Sequence, residues 1–331
     1  MDDRAVADRI ERAVTRRASL TADEATTAYR LVNGAGDGLP GVTVDRYDEA
    51  LVVNLYDDRA GQRPLVDALA ALADTLGVRS IYVKQRPRSA ARLSAAQTAA
   101  LAPDSPAWGE RVESLAAREN NLSYLIRPGG ALSAGLFLDM RETRAQVRAL
   151  ARGRAVLNLF AYTCAFGVAA SAGGAARVLN LDAARPALAW GRENYALNSL
   201  AADPYDFVHG DAFDWLDRLA RRAARDGQTF ELVVADPPSY STVKGKRFAV
   251  SRDYRALAAA CARVAAPGGH LLLCANEAHL PRQAFRRECL RGVAEAGRAA
   301  HVQSYEGAPA LDFPAPPAEE GHLKLLCLEL A

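Results

Sequence analysis

Residues Val233-Val234-Ala235-Asp236-Pro237-Pro238-Ser239-Tyr240 combine a β-branched apolar run, an acid, two prolines and an aromatic. Each proline fixes its own φ, removes an amide donor and pushes its predecessor toward extended geometry. A chain leaving a strand through this segment is stiff, and its carbonyls are left unclaimed by secondary structure. Asp236, the Pro237 carbonyl and Tyr240 can then grip a flat amine or base, hydrogen-bonding along its edge and stacking on its face. A proline-punctuated strand end reads the same way in isolation, so the elements that position the segment decide between the two.

From residue 156 onward strand-like and helix-like patterns alternate. Strands are expected at 156–160, 177–182, 206–209, 232–235 and 270–275, with helices from 167 and over 186–198, 212–225 and 254–265. Helices inserted between strands imply a parallel, doubly wound, Rossmann-like α/β sheet. In such sheets ligands bind beyond the carboxyl ends of the strands. Those ends carry Phe160-Ala161-Tyr162-Thr163-Cys164-Ala165-Phe166-Gly167, then Asp182, then Gly210-Asp211-Ala212, then Asp236-Pro237-Pro238. Asp182 is placed to accept both hydroxyls of a ribose, and Asp211 with the neighbouring amides can read an adenine edge. Each acid alone is equally a helix cap; in register, the set describes a nucleoside cofactor. A dinucleotide would call for three spaced glycines in the first turn. Only Gly167 is present, which favours a cofactor without pyrophosphate, S-adenosylmethionine.

Upstream lies a smaller α+β domain. A charged helix over 3–17 precedes strands at 29–32, 42–47, 50–56 and 80–85 and a helix near 64–76. The glycine-dense loop over 33–41 joins two strands and lacks the ending of a P-loop, so a structural turn is expected. Residues 88–118 read as a connector. Pro128-Gly129-Gly130, flanked by 121–127 and 131–138, reads as a hairpin ahead of a helix over 139–152. The organisation is an N-terminal helix (1–20), a small domain with connector suited to substrate recognition (21–120) and a cofactor-binding domain (121–331).

Composition sets bounds. The chain has 331 residues, half of them apolar, and a formal charge of +2 carried almost entirely by arginine. Charge alone neither demands nor excludes nucleic acid. Five scattered cysteines suit reduced thiols in a cytoplasmic protein, and neither cysteines nor histidines have metal-ligand spacing. No segment approaches membrane-spanning length. A homodimer is compatible with the sequence.

Several motifs together resemble a known family. Gly135-Leu136-Phe137-Leu138-Asp139-Met140-Arg141, Leu157-Asn158-Leu159-Phe160-Ala161-Tyr162-Thr163, Asp236-Pro237-Pro238-Ser239-Tyr240-Ser241 and Arg252-Asp253-Tyr254 are similar to the large-subunit ribosomal RNA methyltransferases. That group makes 5-methylcytosine or 7-methylguanosine in 23S rRNA. The likeness reaches back to Tyr29-Arg30-Leu31-Val32-Asn33 and Asp37-Gly38-Leu39-Pro40-Gly41. It implies that Asp182, Asp211, Ala212, Asp236 and the backbone of 160–167 line the S-adenosylmethionine site. It also implies that Asp139 and Arg141 close over the cofactor, with Arg141 pairing its carboxylate.

The sequence departs from the family at three places. Cys164 stands where glycine is common, so either the backbone approaches the cofactor less closely or a positive φ is not needed. The chain begins near the glycine loop and is expected to lack the extra N-terminal RNA-binding module of the cytosine enzymes. Those enzymes also need a cysteine thiolate just past the fifth strand to attack carbon 6 of the base. Here Asn276 stands there, as in the 7-methylguanosine branch, with Cys274 two residues earlier on the same strand face. Guanine N7 already carries a lone pair and needs orientation rather than covalent attack. Asp236, Pro237, Tyr240 and Asn276 are therefore the candidate catalytic group. Lys244, Lys246, Arg247 and Phe248 are expected to contact substrate phosphates and a splayed base. The alternatives are a small-molecule methyltransferase and a non-catalytic RNA-binding or ribosome-assembly protein.

Overall fold

The computed structural model describes residues 2–56, 61–86, 93–243, 246–316 and 321–331. The chain forms two compact units, Met1–Arg141 with Pro309–Glu319, and Glu142–Ala308 with Glu320–Ala331.

The first unit begins with α1 (Asp3–Arg16) and α2 (Ala18–Thr21). Strands β1 (Ala28–Asn33), β2 (Val42–Tyr47) and β3 (Ala50–Leu55) follow, then α3 (Gln62–Ala70), α4 (Ala73–Leu76) and β4 (Ser80–Gln85). The expected connector contains α5 (Ala95–Leu101) and β5 (Trp108–Gly109), and runs into β6 (Leu115–Glu119) and β7 (Leu122–Ile126). Strands β1 to β5 form a sheet in chain order. Val6 and Ile10 of α1 and Leu65 and Leu69 of α3 pack with Leu31, Val44, Val53 and Ile81 of the sheet.

Alternation puts polar residues on the sheet's other face. Arg30 pairs with Asp45 at 2.8 Å, Asn54 donates to Asp45 at 3.1 Å, and Arg86 donates to Asn54 at 2.8 Å. Lys84, 1% exposed, is pushed down to about 7 because burial penalises its ammonium and Arg86 repels it. The glycine loop is a structural turn. Its Asp37 is gripped through both oxygens by Arg17, at 2.8 and 2.7 Å, and accepts the Asn33 amide at 2.7 Å.

Two expectations need correction. The hairpin is not 121–127 with 131–138 but β6 with β7, turning at Asn120 and Asn121. Both asparagines adopt positive φ (51° and 63°), which a two-residue turn of this hand requires and asparagine tolerates. Pro128-Gly129-Gly130 is loop. The hairpin is bonded to the first unit, Thr27 N donating to Arg118 O at 2.8 Å and Asn121 N to Ala25 O at 2.9 Å. The units accordingly divide at Arg141, later than the boundary near 120 read from sequence.

The second unit runs through α6 (Arg141–Leu150, from Glu142), β8 (Ala155–Leu159), α7 (Ala165–Ala172), β9 (Arg177–Asp182), α8 (Arg185–Leu197), β10 (Phe207–His209), α9 (Ala212–Asp226) and β11 (Phe230–Ala235). Next come β12 (Tyr240–Val243), β13 (Lys246–Ala249), α10 (Val250–Val264), β14 (Ala265–Asn276), α11 (Arg282–Glu295), β15 (Ala300–Glu306) and β16 (Leu323–Leu330). The seven-stranded sheet has the order β10-β9-β8-β11-β14-β16-β15. β8 to β11 and β14 are parallel where they pair, whereas β16 inserts antiparallel between β14 and β15. The order reverses at β8, so the carboxyl ends of β8, β9, β10, β11 and β14 open onto one edge. Beneath them Leu157, Val233, Leu257, Leu271 and Leu326 belong to one apolar core. Among the described residues no helix is long and apolar enough to cross a membrane, and no cluster of His, Cys, Asp and Glu could hold a metal ion.

Candidate active site

The loop leaving β8 has an unusual backbone. Phe160, Tyr162 and Cys164 all have positive φ, at 56°, 48° and 59°. A non-glycine residue pays about 1 kcal/mol or more for this conformation, so three in five residues must be imposed by their surroundings. The positive φ is thus required at Cys164, and a cysteine adopts it.

Helix α8 supplies much of the constraint. Asn194 donates to Thr163 O at 2.8 Å, and Tyr162 packs on Trp190 with ring centroids 6.4 Å apart. Cys164 fills a notch at Gly191, where an added Cβ would meet its Sγ at 2.3 Å. Below lies a buried polar chain. Asn158 donates to Asn180 at 2.9 Å, Asn180 to Tyr195 at 3.0 Å, and Ser171 to Tyr195 at 3.2 Å. Gly167 belongs to this layer, since a Cβ there would strike Asn180 Oδ1 at 2.1 Å.

The acids stand at successive strand ends. Asp182 accepts the amides of Tyr162 at 2.8 Å and Ala184 at 2.7 Å, one on each oxygen. The remaining lone pairs suit vicinal hydroxyls. Asp211 caps α9 through the Asp214 amide at 3.0 Å, ahead of the buried Ala212. Asp236 is half-buried after β11, Pro237 is buried, and Tyr240 is 50% exposed. The Ser239 hydroxyl donates to the carbonyl of Asn276, joining this loop to the end of β14. Tyr254 OH lies 2.6 Å from Cys274 O and 3.3 Å from Ala235 O, fastening the same two strands one step below. Asp236, Pro237, Tyr240 and Asn276 therefore cluster at one place.

Phe248, expected to stack on a base, is only 7% exposed and belongs to the core. Its ring lies 6.2 Å from Phe160 and 6.0 Å from Phe213, bracing three strand-end segments against one another. The segment expected to contact substrate forms a hairpin, with β12 and β13 antiparallel. Lys244 lies outside the described residues, as do the side chains of Lys246 and Arg247.

In the first unit Arg141 holds Asp312 in a bidentate pair at 2.6 and 2.9 Å, both residues buried. Arg17 donates to Asp312 O at 3.0 Å. Asp139 is also buried, among the charges surrounding Arg30. No local signal marks Asp312, which lies 171 residues from its partner. Gly191 and Asn194, three apart on one helix face, were the readable sign of the brace on the cofactor loop.

All five cysteines are buried. Burial pushes Cys261 up to about 12, Cys327 up to about 11, and Cys164 and Cys289 well above the ordinary thiol value. Thiolate chemistry at these positions is suppressed.

A parallel sheet with an inserted antiparallel strand, and acids at its second, third and fourth strand ends, is the architecture of an enzyme that binds a nucleoside cofactor without pyrophosphate. The S-adenosylmethionine-dependent methyltransferase model matches residues 29–326, and the chain belongs to that family. It is 33% identical over 338 residues to a ribosomal RNA large subunit methyltransferase of Deinococcus radiodurans, covering 100% of this chain and 80% of the relative. Ribosomal RNA large subunit methyltransferase I of Shewanella amazonensis is 32% identical over 297 residues, with 88% and 72% covered. The crystal structure of SMU.776 complexed with SAH superposes with a TM-score of 0.87 at 25% identity, covering 99% of this chain and 82% of that one. The protein is a methyltransferase and its cofactor is S-adenosylmethionine, which the free lone pairs of Asp182 and the constrained loop beside it fit.

Proposed function

We propose that the protein methylates a base of large-subunit ribosomal RNA, and that the acceptor is guanine N7. The relatives named above act on that RNA, which supports the substrate class. The observation carrying the choice of base is the contrast at the end of β14, where Asn276 is exposed and Cys274 is wholly buried. Attack on cytosine C6 needs an accessible thiolate; the described cysteines offer none. The 160–167 backbone, Asp182, Asp211, Ala212 and Asp236 remain the proposed cofactor contacts, while Arg141 in the first unit is occupied by its bidentate pair with Asp312.

The bound cofactor supplies an electrophilic methyl group on a sulfonium. The protein must present a lone pair to it in line and exclude competing geometries. Asp236, the Pro237 carbonyl and Asn276 offer acceptors and a donor to the edge of a purine, while the half-exposed Tyr240 ring offers a stacking face. The two prolines keep the loop from collapsing into secondary structure. As the methyl arrives, positive charge spreads over the purine ring, and the Asp236 carboxylate stabilises it electrostatically.

The test is incubation of purified protein with isotopically labelled S-adenosylmethionine and unmethylated ribosomal RNA or large subunits, followed by nucleoside mass spectrometry. Labelled 7-methylguanosine is expected. Labelled 5-methylcytosine would overturn the Asn276 reading and turn attention to the thiols. Cofactor binding without incorporation would favour a small-molecule substrate or a non-catalytic role.

A further inference from the structure

Helix α11 has two faces of opposite character. Phe285, Cys289, Gly292 and Val293 are buried, and Gly292 lies so close to α10 that an added Cβ would meet Arg255 O at 2.2 Å. The other stripe, Gln283, Arg286, Arg287, Leu290, Arg291 and Ala294, follows the i, i+3, i+4, i+7, i+8, i+11 spacing of a single helix face. It lines a shallow open concavity of about 410 Å³. Glu288 accepts from Arg287 at 3.1 Å and from Arg291 at 3.2 Å. That acid holds two guanidiniums side by side while most of their five donors each stay available.

Helix stability does not account for this charge. Basic residues are favoured near a helix C-terminus, and α9 obeys the rule, with Asp214 in its first turn and Arg225 in its last. Helix α11 does the reverse, with Arg282, Arg286 and Arg287 in its first half and no acid in its first turn. Arg282 is committed elsewhere, donating to Tyr305 O at 2.7 Å and lying 4.2 Å from that ring's centroid. Arg286, Arg287 and Arg291 are exposed, three arginines against one glutamate in a chain whose total formal charge is only +2.

We propose that this face docks the phosphate backbone of the RNA substrate. The inference rests on the RNA-methylation reading and adds to it a recognition surface. Charge complementarity selects a polyanion, and planar guanidiniums suit phosphate oxygens. Helix α11 starts a short turn after Asn276, so a strand held along it is led to the carboxyl edge of the sheet.

The test compares the wild type with two triple variants, Arg286→Gln/Arg287→Gln/Arg291→Gln and Arg286→Lys/Arg287→Lys/Arg291→Lys. Unmodified large-subunit ribosomal RNA, transcribed in vitro, is titrated by filter binding across a salt series, with SAH binding measured calorimetrically on the same proteins. The glutamine variant should bind RNA about tenfold or more weakly at low salt, with a salt slope shallower by roughly two. Its SAH affinity should stay within about twofold of wild type, and the lysine variant should recover most of the slope. Unchanged RNA affinity and slope in the glutamine variant would overturn the surface while leaving RNA methylation standing. So would a lysine variant whose salt slope is as shallow as that of the glutamine one. A wild-type protein that neither binds nor methylates RNA would sink both readings.

Discussion

The loops after β8 and β11 leave neighbouring strands of one sheet and are held by opposite means. The β8 loop carries three left-handed non-glycine residues and is braced from behind by Asn194, Gly191 and Trp190. The β11 loop takes its stiffness from two consecutive prolines, with Ser239 tied to Asn276 through its hydroxyl and to Val250 through its carbonyl. One loop is shaped by tertiary packing, the other by its own covalent chemistry. In the proposed function the rigid cradle takes the cofactor and the stiff but exposed platform takes the acceptor base.

The largest effect should come from the exposed loop. Asp236→Asn should lower methyl-transfer kcat by roughly 10²-fold or more, measured in single-turnover assays; near-normal turnover would remove Asp236 from the chemistry. Next is the brace. Gly191→Ala should cost about 1–3 kcal/mol and weaken SAH binding about tenfold or more by calorimetry, because the new methyl collides with Cys164. An unaltered affinity would mean that α8 does not set the loop. Asn194→Ala should cost about 1–2 kcal/mol by orphaning the Thr163 carbonyl, and Asn194→Asp should do no better, since an ionised carboxylate cannot donate.

Smaller changes sharpen the contrast further. Tyr240→Ala should raise the KM for RNA about tenfold through lost stacking, leave SAH binding alone, and be largely rescued by Tyr240→Phe. The smallest effect is expected for Cys164→Gly. Relief of about 1 kcal/mol of backbone strain offsets lost packing at Gly191, so the melting temperature should move by only about 2–4 °C. A large loss would show that the sulfur, not the φ, is what the site needs.

The same contrast explains what the sequence disclosed. Alternating strands and helices from residue 156, and acids at strand ends, are local patterns, so the doubly wound sheet and Asp182, Asp211 and Asp236 were legible. The Asp-Pro-Pro loop carries its geometry in its own residues. Most contacts between distant segments left no such trace. Asn158, Asn180 and Tyr195 read as ordinary strand and helix residues until folding aligns them. Phe248 looked like a base-stacking ring because nothing nearby reveals Phe160 and Phe213 on either side. The hairpin was misplaced because Pro-Gly-Gly is a louder turn signal than Asn120-Asn121, although only the asparagines join two pairing strands.

The insertion of β16 between β14 and β15 has a consequence for biosynthesis. Until residues 323–330 have been made, β14 presents a bare apolar edge on the side away from β11, and β15 has no neighbour in the sheet. The first unit waits as well, since Asp312, the partner of Arg141, arrives only with the segment 309–319. Through most of translation the second unit thus holds an unfinished strand edge, the kind most exposed to aggregation, and the first unit lacks the partner of its buried Arg141. Ribosomes stalled shortly before residue 309 should carry nascent chains that are protease-sensitive in both units, with protection appearing in a single late step.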